Sequence, residues 1–398
     1  MRKISKQSII SVLILFQIFV FTALNYQYID NYSDRSVNIY LNNAAIDINT
    51  FENINFDTEF DDVEILLEFK IDAPKDIEQL YTSSSINQND VIRYRNKIEK
   101  YYKNENSKII NSYSFSQDMY ISKYGPFASF NDINNSDKEL IYELVQNNKI
   151  KNISLFYKND SYNTNSEIKE TEPDPKKDVT LEEVVNNYIF ANETKGYDGN
   201  GITVGILEPG LVDKSNINFV GKDVLVNYRD NVEVTEHATQ VASIVSFIAP
   251  KAKILSASLR SEPDINDIML QIEWLLSNGA NVINNSWATD NTDGVYGFLS
   301  AFFDYTVSIL GISQVVSAVN SRALMNDPNL GRNVISVGSV DRYVVHSYFS
   351  SYISFEQIDA LDIVGLGEQL IVPNFPKAIS GNSFSAPQVT GAIAILMQ

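Results

Sequence analysis

The sequence predicts an α/β chain. A parallel sheet with helices on both faces is expected over residues 179–398, after a split-βαβ (ferredoxin-like) domain over 60–159 and an N-terminal membrane anchor over 1–27. Three observations predict this. From Val179 on, near-continuous apolar runs alternate with amphipathic stretches, as strands buried on both faces alternate with covering helices. Between residues 60 and 159 the periodicity reads strand, helix, strand, strand, helix, strand. Arg2, Lys3 and Lys6 precede an apolar run from Ile9 to Leu24.

The N-terminal run is short for a membrane span and long for a signal-peptide core. No small-x-small cleavage site follows, and Tyr26 and Tyr28 sit where interfacial aromatics anchor a span. An uncleaved signal anchor is therefore favoured over a signal peptide. Either reading puts the rest of the chain outside the cytoplasm, anchored with its N-terminus inside or, alternatively, secreted. Residues 28–59 are rich in Asn, Asp and Ser and read as a spacer.

In the first domain, Val63, Ile65, Leu67 and Phe69 alternate with charged residues as a strand does. Val91, Tyr94, Ile98 and Tyr101 recur at helical intervals. The stretches "KIINSYSF" (108–115) and "MYISKYGPFASF" (119–130) read as two strands. Ser136 and Glu139 form a candidate capping box for the second helix, and "KNISLFY" (151–157) is the last strand. The polar linker 160–178 carries two prolines and marks a domain boundary. Further on, strands are expected at "GITVGILE", "AKILSASL", "NVINNS", "QVVSAV" and "NVISVGSV", with helices at 265–277, ended by Asn278-Gly279, and 295–310.

Composition narrows the chemistry. A formal net charge of −19 argues against nucleic acid as a partner. Without cysteine there is no thiol nucleophile and no thiolate metal site. The only two histidines, His237 and His346, confine histidine chemistry to two candidates. Near the C-terminus, "SGNSFSAPQVTGAIAIL" carries no charge and many small residues, the pattern of a buried helix from about Ser385, with Pro387 in its first turn. Ser383 stands at the mouth of that helix, as an N-cap or as a nucleophile.

A nucleophilic serine needs a base and an orienting acid. His237 opens another apolar, small-residue helix, "HATQVASIV", whereas His346 lies among surface-like residues and reads as structural or exposed. The order in the chain excludes an α/β-hydrolase, because no histidine follows Ser383. The acid belongs at the carboxyl end of an early strand, where Glu208 closes "GITVGILE"; Asp213 lies further into the loop.

Taken together, "ITVGILEPG", "HATQVA" and "SGNSFSAPQVTG" resemble the acid, histidine and serine motifs of the subtilisin-like serine proteases, the subtilases (peptidase S8 family). "APKAKI", "VINNSWA", "VVSAVN" and "VISVGSVD" match further family stretches in order, over about Tyr197 to the end. The resemblance implies a subtilisin-like catalytic domain and a serine endopeptidase with Glu208, His237 and Ser383 as catalytic residues and Asn320 as oxyanion donor. It also implies Ser286, Trp287 and Ala288 as the substrate-binding strand, and 321–332 as a shaper of specificity. Residues 60–159 resemble the family's propeptide of the inhibitor I9 type, an intramolecular chaperone and inhibitor, with maturation expected between Tyr157 and Val179.

The partners so implied are a peptide or protein substrate, the chain's own propeptide domain and, through the N-terminal segment, a membrane. No cofactor is expected. Calcium is possible, but only Ser246 to Ile248 separate the histidine helix from "APKAK", where the family's common calcium-binding insertion would fall. The chain departs from the family at Glu208 (usually Asp), Ala238 (Gly), Ala288 (Gly) and Asn382 (Thr), and it stops soon after the serine motif, which reads as a C-terminal truncation. The alternative reading is a catalytically impaired peptide-binding module that kept the cleft.

Overall fold

The computed structural model describes residues 63–74, 88–157, 177–189 and 196–398, with breaks at 116–118, 132, 261–262, 289–295, 323 and 353–360, together with 38–41, 44–46, 51, 169–171 and 174. The expected anchor over 1–27 lies outside the described residues. Among the described residues no helix is long and apolar enough to cross a membrane.

The first domain is built from β3 (Val63–Phe69), α1 (Gln88–Ile110), β4 (Met119–Ile121), β5 (Phe127–Asn131), α2 (Asn135–Gln146) and β6 (Ile150–Tyr157), the predicted strand and helix order. Its sheet runs β6-β3-β5-β4. Two strands from the expected spacer, β1 (Asn38–Leu41) and β2 (Ala44–Ile46), extend it at the β6 edge.

Three expectations shift here. Residues 108–110 are the last turn of α1 and not a strand, because Ile109 and Ile110 continue the helical apolar pattern. The two middle strands both come from "MYISKYGPFASF", split by a turn at 122–126. Ser122 Oγ accepts from the N–H groups of Tyr124 and Gly125, and Pro126 has no N–H to give to a ladder. The capping box of α2 is Asn134 with Asp137, two residues before the expected pair.

The main sheet of the second half has, among the described residues, seven strands, all parallel: β9 (Thr203–Glu208), β10 (Val224–Val226), β11 (Lys253–Ser258), β12 (Val282–Asn285), β13 (Ser313–Ser317), β14 (Ile335–Val340) and β15 (Ile363–Leu366). Their order is β10-β11-β9-β12-β13-β14-β15. From β9 the chain goes to one side for β10 and β11, then to the other for β12 onward. The order therefore reverses at β9, and the crevice expected of open parallel sheets lies at its carboxyl end.

The faces alternate with period two. Val204 and Ile206 join the core of α3 (Glu236–Ile248) and α6 (Asn382–Met397). Leu207 joins that of α4 (Ile265–Ser277) and α5 (Phe298–Leu310). The α4 prediction matches at both ends, and Gly279 takes φ +88° after it.

A small sheet closes on the serine helix. Its order is β7 (Lys169–Thr171), β17 (Ala378–Ser380), β16 (Leu370–Ile371), β8 (Val179–Thr180). The linker thus contributes a strand, with Lys169 opposite Ser380.

The two halves are joined through α4, α5 and their ends. Glu64 accepts from the N–H groups of Ile265 and Asn266, the first orphan donors of α4. Ser122 Oγ and the N–H of Lys123 both donate to Glu273. Arg95 on α1 donates to the carbonyls of Ala280 and Leu310. Tyr94, Ile98, Tyr102 and Phe127 complete one apolar cluster with α4 and α5.

Candidate active site

Glu208 ends β9 and is fully buried. The chain then turns under the histidine helix: Gly210 has φ +129°, and a Cβ there would stand 2.2 Å from Thr235 Cγ2. Only glycine fits such a conformation and approach. Thr235 is the N-cap of α3, its hydroxyl accepting from Ala238 N. The acid's loop and the cap are thereby pressed together, two residues from each functional group.

Oε1 of Glu208 is held by two donors, the N–H of Ser286 at 2.9 Å and Asn284 Nδ2 at 3.3 Å. That anchoring leaves Oε2 for the imidazole. His237, second in α3, brings Nδ1 to 3.2 Å from Oε2. The distance is that of an ion pair, but the angle misses hydrogen-bond geometry: Oε2 has no hydrogen-bond partner among the described residues, nor has His237 Nε2.

Ser383 lies in the first turn of α6, which starts at Asn382, three residues before the predicted onset. The N-cap is Gly381, with no side-chain cap bond, so Ser383 does not serve as an N-cap. Pro387 sits inside the helix and not in its first turn. Its missing N–H leaves the Ser383 carbonyl without a helical donor, and Ser286 Oγ donates there at 2.9 Å. In return Ser383 Oγ donates to the Ser286 carbonyl at 3.4 Å, a long bond. Helix α6 also packs closely on α3, where a Cβ on Gly391 would meet Ile248 Cβ at 2.8 Å. The ring of Phe384, next to the serine, lies 5.5 Å from the imidazole. Two helix N-termini, each carrying one functional side chain second in line, thus open on the same end of the sheet, where their dipoles favour negative charge.

Asn320 follows β13. Its Oδ1 accepts from the N–H and the Nδ2 of Asn382, at 2.8 and 2.9 Å. Its Nδ2 lies within reach of a Cβ on Gly381, at 3.4 Å, and has no hydrogen-bond acceptor among the described residues.

The structure therefore brings Glu208, His237, Ser286, Asn320 and Ser383 to one rim. Trp287 points elsewhere: it is 1% exposed and packs edge-on against Phe303 in the α4–α5 core. Strand alternation turns its side chain away from Ser286, so the indole does not line a cleft. Ala288 is half-buried, and His346 is exposed and meets Tyr352 edge-on. Sequence reasoning missed Asn284, which links Glu208, Ser286 and, through Thr390 Oγ1, α6. The signal was a pair of amides, Asn284 and Asn285, in a fully buried strand. Among the described residues no group of three or more His, Asp or Glu side chains is placed to hold a metal ion.

Residues 199–398 match the model of the subtilase family, peptidase S8. The chain belongs to that family. Among curated proteins it is 27% identical over 225 residues to alkaline elastase YaB of Bacillus sp. (strain YaB), covering 52% of this chain and 57% of that one. It is 28% identical to a thermophilic serine proteinase of Bacillus sp. (strain AK1), over 51% of this chain and 53% of that one. Subtilisin Savinase of Lederbergia lenta matches at 26%, over 52% and 80%. The chain thus spans little more than half the length of the first two. Among solved structures, the prenylagaramide maturation protease PagA overlaps 52% of this chain and 79% of its own at 23% identity and a TM-score of 0.43. A cold-adapted subtilisin-like serine proteinase overlaps 50% and 76% at 21% and 0.39. At these TM-scores the structural overlaps bear no weight on function.

Proposed function

We propose that this chain is a serine endopeptidase acting outside the cytoplasm, held to a membrane by its N-terminal segment. The observation that carries the reading is the Glu208–His237 approach at 3.2 Å beside a serine in the first turn of the neighbouring helix. On substrate binding the Ser383 hydroxyl leaves its long bond to the Ser286 carbonyl and turns to His237 Nε2, which has no partner among the described residues to give up. Oγ then attacks the scissile carbonyl carbon as Nε2 takes the proton, and Nε2 returns that proton to the departing amine. A water repeats the sequence to release the acyl group. Glu208 holds the ring and stabilises the imidazolium. The oxyanion receives the Nδ2–H of Asn320 and the backbone N–H of Ser383, one of the orphan donors of α6. The edge from Ser286 to Ala288 offers main-chain pairing to an extended peptide.

The N-terminal domain is proposed to act as a propeptide, a chaperone and inhibitor in cis, with processing in the linker over 160–178. No cofactor is required by this scheme.

A fluorophosphonate probe tests it on the full-length chain. The wild type is expected to label and Ser383→Ala not to. Absence of labelling after the linker has been opened by limited proteolysis would sink the hydrolase and leave a peptide-binding module.

A further inference from the structure

Asn382 precedes the serine and is fully buried. Both hydrogens of its side-chain amide are placed: Nδ2 donates to the Val319 carbonyl and to Asn320 Oδ1, each at 2.9 Å. Its backbone N–H donates to the same Oδ1 at 2.8 Å. Both lone pairs of Asn320 Oδ1 are thus occupied. Asn382 Oδ1 meets no donor among the described residues, so this amide is held by its nitrogen end alone. Turning the Asn382 amide over would set its oxygen against two carbonyl oxygens. Turning the Asn320 amide over would set an NH2 group against two donors. Each amide therefore locks the other in one of its two orientations, and Asn320 Nδ2 is left facing outward.

We infer that Asn382 is a positioning residue: it fixes the Asn320 side chain with its N–H aimed at the reacting oxygen and touches no substrate itself. The inference rests on the proposed role of Asn320 as oxyanion donor. A residue with a single hydroxyl at this place, as is usual in the family, cannot grip both the Val319 carbonyl and Asn320 Oδ1 as donor.

The test is a double-mutant cycle on the full-length chain, with rates normalised by active-site titration. Asn320→Ala should cost about 100-fold or more in kcat, as for other oxyanion donors. Asn382→Leu, near in volume, should cost about 10-fold in kcat with KM unchanged, roughly the worth of one hydrogen bond. In the Asn320→Ala background it should cost nothing further. Equal losses in both backgrounds, or no loss in either, would overturn the inference. Asn382→Ala carries the same expectations if the leucine variant does not fold.

A second readout needs no turnover. In the Ser383→Ala protein the Asn320 Cγ resonance reports hydrogen bonds accepted by Oδ1 and should move on Asn382→Leu; an unmoved resonance overturns the inference. If the chain with Ser383 intact shows no hydrolytic activity, a shift here would leave the positioning intact and defeat only the proposed catalysis.

Discussion

The added methylene of Glu208 is the residue-scale question, since it lengthens the side chain by about 1.5 Å relative to aspartate. Ser286 and Asn284 grip Oε1, so the reach of the longer side chain is used up in this anchoring while Oε2 meets His237. Glu208→Asp should therefore lower activity, although it restores the residue usual in the family. It would draw the carboxylate back by about an ångström, and a misplacement of that size can cost about 100-fold. A kcat for the aspartate variant equal to or above the wild type would show the backbone to be free to follow. The places of Glu208 at a strand end and of His237 and Ser383 at helix mouths were legible from the apolar runs beside them, whereas Asn320 was named only through the family resemblance. Asn284 and the grip of Asn382 on Asn320 were not legible, since both depend on which strand lies beside which. The place of the Trp287 indole, packed against Phe303 in the core, was equally hidden, since it depends on the pleat of the sheet.

At the scale of elements, the strands of the second half were legible because a sheet covered on both faces leaves continuous apolar runs. The first domain was harder. Ile109 and Ile110 fit either period, and the turn at 122–126 is made by a serine hydroxyl that no periodicity reveals. Pro387 was placed one turn too early because the onset of α6 is set by Gly381, which offers no side-chain cap to read. The pairing of α3 and α6 is what brings histidine and serine together, and it depends on Gly391. Gly391→Val would drive a β-branched side chain into Ile248. It should destabilise the chain by about 1–3 kcal/mol, the usual cost of overpacking, seen as a lower denaturation midpoint in urea. The same variant should lose activity per folded molecule, because the two helix mouths are pushed apart.

At the scale of the whole molecule, the N-terminal domain is fastened by carboxylates. Glu273 is buried, and burial pushes its carboxyl above the ordinary value of 4.5, against the bonds from Ser122 and Lys123 that pull it down. A raised pKa in the folded chain gives stability that is full below the ordinary value and is lost as the pH rises through the raised one. The Ser383→Ala chain should therefore lose stability from this group as the pH rises from the ordinary carboxylate value through the raised one, and Glu273→Gln should flatten that part of the profile. Equal slopes for the two proteins in urea unfolding would show that Glu273 does not titrate in this range.

The small sheet that carries β17 into the serine helix has a consequence of its own. Strand β17 has β16 on one flank and, on the other, a segment of the chain's own linker, whose Lys169 stands opposite Ser380, three residues short of Ser383. Were that segment to leave, a row of amide and carbonyl groups would be bared beside the nucleophile, an open berth for the extended backbone of any visiting polypeptide. The linker, by lying there, keeps the berth filled.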